Sequence, residues 1–161
     1  MGDQHNVVLV EELISLINKG NAHASFEDAV EGVPLTLLTE IPEQLPYGIW
    51  HLAEHMRIAQ LDIIMFCTNP DYQSPKWPDG YWPEHTEKKI SKNEWEDTLG
   101  RIAADRLRFI NLLKDPAVDL YTPFDHGTGQ NLLREALLIA DHNSYHTAEI
   151  IVVRRLLNDW K

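Results

Sequence analysis

Two pairs of histidines stand out for their spacing. His142 and His146 are four residues apart, and Glu149 follows three after the second of them. Residues three and four apart share a helix face, so both imidazoles and the carboxylate fall on one stripe. His51 and His55 repeat the four-residue spacing, and Asp62 follows seven after His55. Neutral imidazole is the commonest protein ligand for metal ions. Two imidazoles on one helix face grip a divalent ion with little further ordering. A third from a facing helix completes a three-histidine set that leaves coordination positions open, as catalytic zinc sites do. His51 and His55 are equal candidates for that third ligand on spacing alone. Histidine content does not select zinc over nickel, iron or manganese. Glu149 has four readings: a fourth ligand, an acceptor that holds an imidazole N–H, a base for water activated by the metal, or a surface carboxylate.

Several other metal and nucleophile chemistries lack their signatures. No Glu-x-x-His pair occurs, so the ferritin-like di-iron arrangement is not supported. There is no His-Glu-x-x-His, no glycine-rich phosphate loop and no Gly-x-Ser-x-Gly. His5, His23, His85 and His126 fall in predicted loops or termini and read as exposed histidines. Cys67 is the one cysteine. It excludes an internal disulfide and reads as a small core residue in an apolar helix.

The elements that must position these groups are helical. Apolar residues recur at three and four over about 7–19, 48–67 and 129–158. A further long helix opens at the Ser91/Glu94 capping pair and runs to about Lys114. Ser25 and Asp28 mark a short helical piece over 26–30, and Gly20-Asn21 suits a left-handed cap for the first helix. The stretch 35–46, with Pro42 and Pro46, reads as an extended connector. Residues 69–91 hold four prolines with Tyr72, Trp77, Tyr81 and Trp82 among them. The prolines exclude a helix. The aromatics predict a segment that wraps the bundle and buries its rings, although long ordered loops also serve as binding walls. Four long helices in 161 residues predict one all-α domain over 1–161, a four-helix bundle.

Composition narrows the function classes. The formal net charge of -11 argues against a nucleic-acid phosphate surface and against an anionic membrane. No apolar run reaches membrane-spanning length, and the first residues lack a secretory pattern. Met1-Gly2 is followed by Asn6 where myristoylation wants Ser or Thr. The expected location is cytoplasmic.

The segment Gln130-Asn131-Leu132-Leu133-Arg134-Glu135-Ala136-Leu137-Leu138-Ile139-Ala140-Asp141-His142-Asn143-Ser144-Tyr145-His146 resembles the last helix of DinB-like (DinB/YfiT) proteins. Pro46-Tyr47-Gly48-Ile49-Trp50-His51-Leu52-Ala53-Glu54-His55-Met56-Arg57-Ile58-Ala59-Gln60 resembles their second helix. Asn21-Ala22-His23-Ala24-Ser25-Phe26 and Ser74-Pro75-Lys76-Trp77-Pro78 are similar to one branch of the family. The resemblance implies an up-down-down-up bundle holding one divalent metal on three histidines, commonly as a homodimer. In the family pattern the first ligand lies about nine residues after the proline that opens the second helix. From Pro46 that position is His55, and the other two ligands match His142 and His146. His51 falls where the family usually has a polar non-ligand. One departure is Thr147-Ala148-Glu149, where the family continues with a small residue and Gln. The resemblance implies activities such as thiol-dependent S-transfer and isomerisation.

The leading expectation is therefore a cytoplasmic, DinB-like metal-dependent enzyme of the thiol S-transferase or hydrolase type. The metal, zinc or nickel foremost and iron or manganese next, would act as a Lewis acid. The substrate would be a small molecule. A low-molecular-weight thiol partner would bring carboxylates that need Arg or Lys, and Arg57 and Arg134 are the nearest in sequence. The acidity of the chain counts against that branch. The alternative is a non-catalytic, metal-stabilised bundle with a stress-response or binding role. A closed coordination shell favours the alternative. An open site in a pocket walled by apolar residues and the 77–82 stretch favours an enzyme.

Overall fold

The computed structural model describes residues 2–84 and 89–160, the first four of these by backbone alone. All regular structure among the described residues is helical. Helix α1 (Gly2–Lys19) starts earlier than its apolar period and stops where Gly20 and Asn21 both adopt positive φ, 61° and 45°. Only glycine and, next to it, asparagine enter that region readily. The short α2 (Phe26–Val30) is fixed by a reciprocal cap. The Asp28 N–H donates to Ser25 Oγ at 3.1 Å, and the Ser25 N–H donates to Asp28 Oδ2 at 2.9 Å.

The connector that follows is less extended than its prolines predict, because Leu35–Leu37 forms a 3-10 turn. Leu38 is fully buried, and its carbonyl accepts from the Trp50 N–H at 2.8 Å. That bond sets the start of α3 (Ile49–Thr68). Gly48 is required there: a Cβ would lie 2.6 Å from the Glu40 carbonyl oxygen. Helix α4 (Lys92–Lys114) opens on the Ser91/Glu94 box as expected. Helix α5 (Leu132–Leu156) opens on Asn131, whose Oδ1 accepts from the Arg134 N–H at 2.9 Å.

Helix α3 packs on α4 and α5, α1 packs on the same two, and α2 lies against α5. The buried apolar residues form two clusters. One contains Phe26, Leu38, Ile49, Leu52, Met56, Ile150 and Val153. The other contains Leu13, Ile64, Phe109, Leu132 and Ile139. Along α3 the first cluster ends at Met56 and the second begins at Ile63, whereas along α5 the second ends at Ala140 and the first resumes at Ile150. The zone where the two clusters meet holds buried polar residues, His55, Gln60, His146 and Thr147. Gln60 is satisfied on both sides: its Nε2 donates to the Ile102 carbonyl at 2.9 Å, and its Oε1 accepts from Asn143 Nδ2 at 3.1 Å. Each large side chain buried in the two cores contributes about 1.5–3 kcal/mol. The polar belt is thus held between two stiff apolar blocks.

The stretch 69–91 departs from its expectation. Among its described residues it carries one 3-10 turn, Asp79–Tyr81. Its aromatics are not buried: Trp77 is 69% exposed, and Tyr72, Tyr81 and Trp82 are half-buried. The reason is geometric. Trp77, Tyr81 and Trp82 line a hollow between α3 and α5 rather than fill it. No helix among the described residues is long and apolar enough to cross a membrane.

Candidate metal centre

The four-residue repeat on α5 places His142 and His146 one above the other, with ring centroids 4.4 Å apart. Helix α3 brings His55 against both, at 4.9 Å and 4.6 Å between centroids. A ring nitrogen of each histidine lies within 4.8 Å of one from each of the others. His55 Nε2 and His142 Nε2 are 3.1 Å apart. Two nitrogens held by one zinc at about 2.0–2.1 Å in tetrahedral geometry sit about 3.3 Å apart. The donor set fits a divalent ion on that measure.

The rings are also turned for it. His55 Nδ1 lies 2.8 Å from the Tyr81 carbonyl oxygen. A carbonyl only accepts, so Nδ1 carries the proton and Nε2 keeps its lone pair. His146 Nδ1 lies 2.7 Å from Glu149 Oε2, which fixes the same tautomer. Outer partners of this kind orient metal-binding imidazoles and raise their basicity. Burial lowers the pKa of all three imidazoles, and the neighbouring rings add to this for His142 and His55. His142 falls furthest, to about 4. Neutral imidazole is the form that binds metal.

Of the four readings of Glu149, the contact with His146 is the arrangement that the acceptor reading describes. Its other oxygen, Oε1, accepts from Tyr47 Oη at 2.5 Å. Burial, followed by that bond to Glu149, pushes the Tyr47 phenol up to about 12. Trp82 packs flat on the His55 ring at 4.0 Å, and Tyr47 stacks against Trp82 at 5.7 Å. Tyr47, the Tyr81 carbonyl and the stacking of Trp82 on His55 escaped the sequence reading. A backbone carbonyl and a stacking partner carry no spacing signal, and Tyr47 lies 102 residues from the carboxylate it serves.

The structure separates the two α3 histidines. His51 is buried near the helix start, where its Nδ1 accepts from the Gly48 N–H at 3.3 Å. It stands outside the cluster that His55 joins. The stretch 51–55 also reads His-x-x-Glu-His, a zinc-enzyme pattern. Glu54 does not serve it, because it binds the Arg57 guanidinium at 2.9 Å and accepts from Thr98 Oγ1 at 2.6 Å. That pairing also corrects the expectation for Arg57, which does not line the histidine hollow. Arg134 lines an adjoining hollow and pairs with Glu135 at 2.6 Å. His23 is exposed and meets Ser144 Oγ at 2.7 Å, and exposed His126 donates to the Phe66 carbonyl at 2.9 Å. His85 and the His5 side chain lie outside the described residues. Cys67 is half-buried, and burial pushes its thiol up to about 12, which makes it a poor nucleophile.

The histidines face a hollow of about 380 Å³. Ala59, Asp62 and Ile63 of α3, Leu138 of α5 and the three loop aromatics complete its wall. Ala59, four residues after His55, keeps the α3 face low and the hollow open. A volume of that size suits a small organic molecule. Comparison with family profiles, with curated proteins and with solved structures finds no match for this chain.

Proposed function

We propose that this chain is a DinB-like metalloenzyme in which His55, His142 and His146 hold one divalent ion that faces a substrate hollow. In this reading α1, α3, α4 and α5 are the four helices of an up-down-down-up bundle, and the protein works as a cytoplasmic homodimer. The observation that carries it is the pairing of tautomers. Two of three converging imidazoles have Nδ1 committed to an acceptor, which leaves Nε2 lone pairs for a metal. The openness of the hollow favours an enzyme over a closed structural site.

When bound, the ion supplies Lewis-acid chemistry on a small-molecule substrate, of the hydrolase or thiol S-transferase type. The residues of the chain do the rest. Glu149 and the Tyr81 carbonyl hold the imidazole orientations, and Tyr47 holds Glu149. Trp82 shields one face of His55 from water. The test is elemental analysis of untagged protein beside a His142→Ala, His146→Ala double variant. About one metal per chain in the parent, lost in the variant, is expected. Absence of metal in the parent after incubation with zinc, nickel or manganese overturns the reading. Turnover of small esters or amides, or of electrophiles with a low-molecular-weight thiol, then assigns the reaction type.

A further inference from the structure

We infer that the substrate of this hollow carries a cationic amine or alkylated ammonium group, received by Asp62 beside the rings of Trp77 and Tyr81. The inference rests on the reading of the hollow as a substrate pocket and names the chemistry it selects.

The charge balance of the wall is one-sided. Its described lining includes the three imidazoles, one carboxylate, and no lysine or arginine. That carboxylate, Asp62, has no ion-pair partner among the described residues. Its Oδ2 accepts from Tyr81 Oη at 2.7 Å. Its Oδ1 is shut off from water and has no hydrogen bond of normal geometry, although the Tyr72 hydroxyl interacts with the carboxylate. A buried acceptor left in that state carries a cost of desolvation. A cationic N–H donor, or a closely packed ammonium, offsets that cost. The carboxylate torsion of Asp is soft, so a small rotation presents the oxygen to a ligand.

The rings beside it suit the same ligand. Trp77 is 69% exposed and sits 5.5 Å from the Tyr81 ring, inclined at 59°. Two tilted π faces beside a carboxylate attract a cation through their negative faces. Trp82 is differently employed, stacked between His55 and Tyr47. Beyond Asp62 and Leu138 the adjoining hollow brings in Arg134, but Glu135 is paired with it, so no uncompensated basic side chain meets the ligand at the Asp62 end. An anionic group therefore finds no basic side chain to hold it at the Asp62 end, and only an ion on the histidines would attract it.

Asp62 is seven residues after His55, two helical turns or about 10 Å along the axis. The ligand that fits has an ammonium at one end and reaches the histidines with the other.

The test uses choline and its neutral isostere 3,3-dimethylbutan-1-ol, with glutarate as an anion. Each is titrated calorimetrically into the full chain, both zinc-loaded and EDTA-treated. Choline is expected to bind about 10-fold tighter than the isostere in both forms. Asp62→Asn keeps the acceptor for Tyr81 and should cut that preference to about 3-fold or less. Trp77→Ala, at an exposed position, should weaken choline about 3-fold with an unchanged melting temperature. Equal affinity for choline and isostere, preference for glutarate in the EDTA-treated protein, or no binding of either choline or isostere overturns the inference. Zinc uptake without choline preference overturns this inference alone. Choline preference without zinc uptake overturns the metal reading and leaves this one standing.

Discussion

The chain carries the same signal twice, and the two copies end differently. His51 and His55 on α3 have the four-residue spacing of His142 and His146 on α5. Both α5 histidines reach the cluster, whereas only His55 does so from α3. The α5 pair lies in mid-helix, where neighbouring backbone donors are already used. His51 lies in the first turn of α3, where backbone N–H groups lack helical partners. Its Nδ1 takes one of them, from Gly48. Spacing puts two imidazoles on one face, but the needs of the helix end decide what each one does.

The sharpest way to break this comparison is to delete the two α3 histidines in turn. His55→Ala should weaken metal binding by more than about 100-fold, beyond the range seen when outer partners are lost. His51→Ala should keep one metal per chain and lose about 1–3 kcal/mol of stability, as expected for a buried hydrogen-bonded group. Equilibrium dialysis with zinc and urea unfolding separate the two effects. Metal loss in His51→Ala, with binding retained in His55→Ala, would reverse the assignment.

The α5 pair should also show in the pH dependence of the metal-free protein. Burial and the neighbouring rings hold His142 at about 4, against a reference value of 6.5. The unfolded chain therefore takes up a proton first as pH falls. The contribution of this group to stability is complete above about 6.5 and drains away down to about 4. The loss reaches at most about 3 kcal/mol. His55 and His146, also lowered, act in the same direction. Urea midpoints of EDTA-treated protein at pH 7, 5.5 and 4.5 should fall in that order, and His142→Gln should flatten the series. Midpoints that stay constant across this range would remove burial as the source of ring neutrality.

Much of this was legible beforehand, for reasons that can be located. The helix limits at Gly20, Ser25 and Ser91 were readable because caps are local chemistry. The face shared by His142 and His146 was readable because helical period is local as well. The choice of His55 over His51 followed from a resemblance and not from spacing, since both fit the period. The openness of the 69–91 segment was not readable. Aromatic content favours burial, and only the empty space between α3 and α5 turns Trp77 and Tyr81 into a wall. Asp62 likewise looked like a neighbour of His55 on its stripe, whereas the structure ties it to Tyr81, 19 residues away.

The two helices also differ in how their imidazoles are held. His146 is oriented by a side chain, Glu149, and His55 by a backbone carbonyl. Substitution can therefore reach one and not the other. Glu149→Ala should lower zinc affinity towards the larger end of the 10–100-fold range for outer partners, about 100-fold. Glu149→Gln keeps an acceptor and removes the charge, so about 10-fold is expected. Tyr47→Phe removes one donor to Glu149, and a loss of about 3-fold should follow. Competition with a zinc indicator ranks the three. Equal losses for Gln and Ala would mean that charge, not orientation, is what Glu149 supplies.

The smallest effect is expected on the other side of the comparison. Tyr81 holds His55 through its carbonyl oxygen, while its hydroxyl serves Asp62. Tyr81→Phe keeps the ring and the backbone and deletes only the hydroxyl. Zinc affinity should change by less than about 2-fold, because the acceptor for His55 Nδ1 is untouched. A change as large as that of Glu149→Gln, read in the same indicator assay, would show that Asp62 is coupled to the histidines. The α3 side would then depend on side chains as fully as the α5 side does.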